Sequence, residues 1–123
     1  MADLPRNVRR FIADHINSVE QLEVLLLLRR TPDRSLTPVE IAKSISTTPA
    51  SIEVRLRDLV RSELVAAEGE GFRFADDARR REALAELADC YAKLRVRVIT
   101  EIFSQPSEAV RSFSDAFRLR DDE

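Results

Sequence analysis

Apolar residues fall into helical spacing almost from the start of the chain. Val8, Phe11, Ile12 and Ile16 lie at i, i+3, i+4 and i+8, one face of a 3.6-residue period. Arg9, Arg10, Ala13, Asp14 and His15 fill the other faces, which predicts a short amphipathic helix with Asp14 and His15 in solvent. Asn17-Ser18 offers an N-cap, and a second helix is expected from Val19 to about Arg30. This helix is apolar nearly all round (Val19, Leu22 and Val24 to Leu28), so it needs cover on several sides, from the domain and from a second subunit.

A polar loop, 31–36, leads into Thr37-Pro38-Val39-Glu40. Thr at the cap, Pro at the first helical position and Glu at the third each satisfy or avoid an orphan N–H, so a capped helix begins there. It carries Val39, Ile41, Ala42 and Ile45 and ends near Ser46. Thr48-Pro49 restarts a helix by a related device, with Ile52, Leu56, Leu59 and Val60 on its inner face as far as Glu63. The period then drops to two: Leu64 to Glu68 and Phe72 to Phe74 flank Gly69-Glu70-Gly71, a glycine-bearing hairpin loop. Asp76-Asp77 caps a long helix reaching about Phe103, striped by Leu84, Leu87, Ala88, Tyr91, Leu94, Val98 and Ile102. Gln105-Pro106-Ser107 interrupts it, and Ser107 opens a final helix with Val110, Phe113, Ala116 and Phe117.

This pattern predicts a mostly α chain with a small β-hairpin wing, a winged helix-turn-helix with flanking N- and C-terminal helices. Residues 1–35 supply the N-terminal helices, 36–75 the winged unit, 76–120 the long and final helices, and 121–123 an acidic tail, within one domain of 123 residues. Hydrophobic residues at 44% and charged residues at 34% suit a folded globular chain. The longest apolar run, Val24 to Leu28, is far short of a membrane span, and the N-terminus shows no signal-peptide pattern. One cysteine, Cys90, precludes an intrachain disulfide; on an apolar helical face it reads as core filling, with a redox sensor as the lesser alternative. A cytoplasmic location is expected.

The residues Leu36-Thr37-Pro38-Val39-Glu40-Ile41-Ala42, then Thr48-Pro49-Ala50-Ser51-Ile52, Leu56, Leu59 and Leu64-Val65, resemble the winged-helix bacterial regulators. The multiple-antibiotic-resistance-regulator-like and arsenic-repressor-like groups are the nearest in pattern. The likeness covers about a third of the chain and implies a DNA-binding transcriptional regulator acting as a homodimer. In such a regulator the second helix of the unit enters the major groove with its N-terminal, outward residues. Here the candidates are Thr48, Ala50, Ser51, Glu53, Val54 and Arg57, with Arg55, Arg61 and the wing's Arg73 placed for phosphates. Arg79-Arg80-Arg81, beyond the wing, is a further basic cluster, either a backbone contact or a solvated helix face.

Charge pulls the other way. The net charge is −2. Between Thr37 and Ala75, five basic residues (Lys43, Arg55, Arg57, Arg61, Arg73) face six acidic ones (Glu40, Glu53, Asp58, Glu63, Glu68, Glu70), so random DNA should be bound poorly. Glu53 and Val54 depart from the basic or amide residues usual in such regulators, and Glu68 and Glu70 stand where a DNA-gripping wing is basic. The alternative is therefore a winged-helix module that regulates a protein partner without binding DNA. Dimerisation is expected through Leu84, Leu87, Tyr91, Leu94 and Val98, a 3–4 spaced seam, with Phe113 and Phe117 added by the last helix. No enzyme, cofactor or metal is expected. The single His and Cys give no zinc spacing, the paired cysteines of arsenic-repressor-like metal sites are missing, and two glycines make no phosphate loop.

Overall fold

The computed structural model describes residues 3–105. Within them the chain is mostly helical with one small antiparallel sheet, in the order α1 (Arg6–His15), α2 (Val19–Arg30), α3 (Pro38–Ile45), α4 (Pro49–Arg61), β1 (Val65–Glu68), β2 (Gly71–Phe74), α5 (Ala78–Lys93) and α6 (Arg95–Phe103). The final helix expected after Ser107, with Phe113 and Phe117, lies outside the described residues.

The capping residues set the helix starts. Ser18, Thr37, Thr48 and Asp77 each accept a backbone N–H from the first turn of α2, α3, α4 and α5, and Glu40 completes a reciprocal box with Thr37. The break between α1 and α2 is held by Gln21, a fully buried amide. Its Oε1 accepts from the Asn17 N–H at 2.7 Å and its Nε2 donates to the His15 carbonyl at 2.8 Å, so the backbone groups freed by the break are satisfied. At the other end of the unit, α4 stops at Arg61. Glu63 takes the left-handed conformation (φ 62°), and the amides of Glu63 and Leu64 return to the carbonyls of Val60 and Leu59, a Schellman closure without its usual glycine.

The sheet pairs Val65 with Phe74 and Glu68 with Gly71, leaving Gly69-Glu70 as a two-residue turn with Gly69 at φ 61°. Leu36 adds a bridge on the far side of β2: its N–H and C=O exchange hydrogen bonds with Phe72 at 2.9 and 2.8 Å. Gly71 is thus no part of the turn proper. A Cβ there would lie 3.0 Å from the Leu36 carbonyl oxygen and collide with the Ser35 hydroxyl, so glycine admits the Leu36 segment.

One core runs through all the helices. Leu22, Leu25 and Leu28 of α2 are fully buried in it, together with Ile12 and Ile16 and with Ile41, Ile52, Leu56 and Leu59 of α3 and α4. The all-round apolar character of α2 is thereby met within one chain: it packs on α3, α4 and β2, and Leu27 is its one half-exposed leucine. α5 packs on α1, and α6 folds back onto both.

Three expectations need correction. The long helix is not continuous to Phe103, because Leu94 (φ −127°, ψ 48°) separates α5 from α6. No proline or glycine marks this break; it falls at the head of the poorly helix-favouring run Val96, Val98, Ile99, Thr100, and it turns Val98 and Ile102 into the core against α1. Val60 is not an inner-face residue but is 37% exposed on the outside of α4. His15 is not in open solvent. It is half-buried with its ring 4.9 Å from that of Phe11, and its Nδ1 is sealed off without a hydrogen-bond partner.

Candidate functional site

The outer face of α4 is presented by its N-terminal cap. Thr48 accepts from the Ser51 N–H at 3.2 Å, Pro49 occupies the first turn, and Ile52, Leu56 and Leu59 bury the opposite face. This rotation leaves Ala50, Glu53, Val54, Arg57, Val60 and Arg61 exposed. The Arg57 side chain has neither hydrogen bond nor ion pair with any described residue. A shallow groove of about 360 Å³ lies between this face and the hairpin, lined by Glu53, Arg57, Val60, Ala67 and Phe72.

Two sequence candidates do not face outward. Ser51 and Arg55 both turn to Glu20 in the first turn of α2: the Ser51 hydroxyl and the Arg55 Nε (3.0 Å) donate to Oε1, and the Thr47 hydroxyl donates to Oε2 at 3.0 Å. One carboxylate thus holds the α3–α4 turn and the start of α4 against α2. Burial alone would raise the Glu20 pKa, but the hydrogen bonds from Ser51, Arg55 and Thr47, together with the Arg55 charge, hold it below the usual carboxylate value. Ser51 and Arg55 are therefore positioning residues for α4 rather than free contacts. Glu20 escaped the sequence reading because its three donors lie 27 to 35 positions away.

The remaining cations are mostly engaged. Arg73 is half-buried rather than free on the wing: it donates to the Asp33 carbonyl at 3.2 Å and lies 3.4 Å from the Glu68 carboxylate. Arg61 approaches Asp58 at 3.7 Å. In the basic triplet, Arg79 pairs with Asp77 and Arg81 with Asp76, while Arg80 donates to the Ser62 carbonyl at the end of α4. These are contacts that brace the hairpin base and the start of α5.

The expected dimer seam is also mostly internal. Leu84, Leu87, Tyr91 and Val98 are buried in the chain's own core, and Leu94 is half-buried at the break. Instead, Val96 and Phe103 of α6 stand 77% exposed, with Thr100 between them on the same face. Cys90 is in the core, where burial and then the nearby Asp89 and Glu86 raise its thiol pKa and disfavour the reactive thiolate. Among the described residues no group of His, Cys, Asp and Glu could hold a metal ion, and no helix is long and apolar enough to cross a membrane. Comparison with known protein families, with curated proteins and with solved structures finds no match to this chain.

Proposed function

We propose that residues 36–75 form a winged-helix unit and that the chain is a DNA-binding regulator reading its site with α4. The observation that carries the reading is the arrangement of α3, turn, α4 and hairpin, with Leu36 bracing β2 and the Ala50–Arg57 face of α4 left uncovered. The ion pairs on this side do not argue against it strongly. Arg61 sits in a loose pair of the kind worth at most about 1 kcal/mol, so its transfer to a phosphate costs little, while Arg73 would also give up its bond to the Asp33 carbonyl. Arg57 has no such competitor among the described residues.

The experiment is selection of duplexes from a random library, followed by fluorescence anisotropy on the enriched and a scrambled duplex across a salt series. An enriched sequence is expected, with weak binding to the scrambled one. Arg57→Ala should cost about 1–3 kcal/mol on the enriched site and relax its preference. Failure to enrich any sequence would favour the second reading, a protein partner. That reading is supported by Val60, Ala67 and Phe72 beside Glu53 and Arg57 along the groove, an amphipathic lining suited to a peptide.

A palindromic site requires two copies, and the face proposed for their contact is the Val96–Thr100–Phe103 stripe of α6. Sedimentation should then give twice the 14.0 kDa chain mass, returning to the chain mass in Phe103→Asp. A wild-type chain sedimenting at 14.0 kDa removes the dimer.

A further inference from the structure

We infer that the cleft between the C-terminal half of α2, the end of α3 and the α5–α6 junction binds a small doubly charged oxyanion on a short apolar body, a phosphate monoester or a dicarboxylate. The inference is independent of what α4 contacts. The cleft encloses about 490 Å³, within the range of small-molecule sites. Three arginines line it, Arg29 and Arg30 from α2 and Arg95 from the start of α6, against one acid, Glu23. The side chains of Arg29 and Arg30 have no partner among the described residues. Arg95 lies over the Tyr91 ring at 4.7 Å and only 3.8 Å from Glu23, a loose pair that leaves guanidinium donors available.

Tyr91 gives the cleft its second, independent mark. The residue is only 9% exposed, and its hydroxyl is buried near the Arg95 guanidinium without meeting hydrogen-bond geometry to it or to any other group. Buried hydroxyls are nearly always bonded, so one left unpaired on the wall of a cationic cleft asks for an acceptor. Burial, and then the Glu23 carboxylate, raise the phenol's pKa against the opposing charge and contact of Arg95, so the protonated hydroxyl can donate to an oxyanion. Ser44, on α3, adds a second hydroxyl-bearing residue to the lining. Leu26, Ile45, Ala88 and Ala92 form the apolar part, which suits a phenyl group or a short alkyl chain. With three positive and one negative side chain around it, the complementary ligand carries two negative charges.

Isothermal titration calorimetry with phenyl phosphate tests this, at about pH 7.5 where the phosphate is mostly dianionic. Glutarate serves as the dicarboxylate arm and benzyl alcohol as the uncharged control. Saturable one-to-one binding of phenyl phosphate or glutarate, and none of benzyl alcohol, is expected. Arg30→Gln, an exposed substitution that leaves the core untouched, should weaken that binding by about tenfold, as should Arg29→Gln. Tyr91→Phe should weaken it severalfold without lowering the thermal midpoint of the free protein, since it deletes a hydroxyl that has no partner there. No saturable heat with either dianion overturns the inference, and so does binding that Arg29→Gln, Arg30→Gln and Tyr91→Phe all leave unchanged.

Discussion

Replacing Glu20 by alanine tests whether one carboxylate sets the position of α4. The side chain is 23% exposed and that of Arg55 29%, so water reaches the cluster only in part. Three donors converge on it, one of them a guanidinium at 3.0 Å. Hydrogen bonds to a charged group contribute about 1.5–3 kcal/mol each when fully buried. Partial rehydration of Thr47, Ser51 and Arg55 in the variant returns much of this, and the loss of a negative charge from the first turn of α2 adds a few tenths. The expected cost is about 2–3 kcal/mol for Glu20→Ala and about 1–2 for Glu20→Gln, read as a lower urea midpoint at unchanged slope. The double-mutant cycle with Arg55→Ala should show about 1 kcal/mol of coupling. The pH dependence has a definite sign. The folded carboxyl is held below the ordinary value of 4.5, so its stabilisation is full above that value and is lost as pH falls through the lowered one. Glu20→Gln should flatten that part of the curve. A loss below about 0.5 kcal/mol in Glu20→Ala, with no coupling to Arg55, would refute the clamp.

Gly71→Ala should destabilise the chain by about 1–3 kcal/mol in chemical denaturation, because the Leu36 backbone stands 3.0 Å from the new Cβ and is held there by two hydrogen bonds. Glu63→Gly should raise the thermal midpoint, worth about 0.5 kcal/mol net, since relief of a left-handed glutamate outweighs the added chain entropy. His15 has its pKa lowered by burial and by the Arg80 charge, with Asp14 acting against them. Stability should therefore fall as pH drops below 6.5 and level off once the folded histidine is protonated; His15→Leu should abolish that step in denaturation curves taken across the range.

Helix starts were readable because a capping side chain and its target are three residues apart or fewer: Ser18, Thr37, Thr48 and Asp77 all cap as their spacing implies. The hairpin was readable from the change of period and the glycines, although only Gly69 serves the turn. What periodicity does not supply is the destination of a face. The Leu84–Val98 stripe is equally good for a second copy or for the chain's own core, and α1 takes it. Likewise, Ser51 and Arg55 are polar positions near the exposed edge of α4, and only the folded chain brings an acid from α2 beneath them. The break at Leu94 follows from where Val98 and Ile102 must go, which no local residue announces.

The reciprocal pair of bonds between Leu36 and Phe72 closes α3, α4 and the hairpin into a backbone ring. A ring of this kind cannot fray from one end: the hairpin cannot leave α4 without releasing Leu36, and α3 cannot swing from the sheet without breaking the same two bonds. Residues 36–72 should therefore open as one cooperative unit, a single foldon. The slowest-exchanging amides of Leu36, of inner α4 and of Phe72 should share one opening free energy, separate from that of α6, which packs chiefly on α1 and the end of α5.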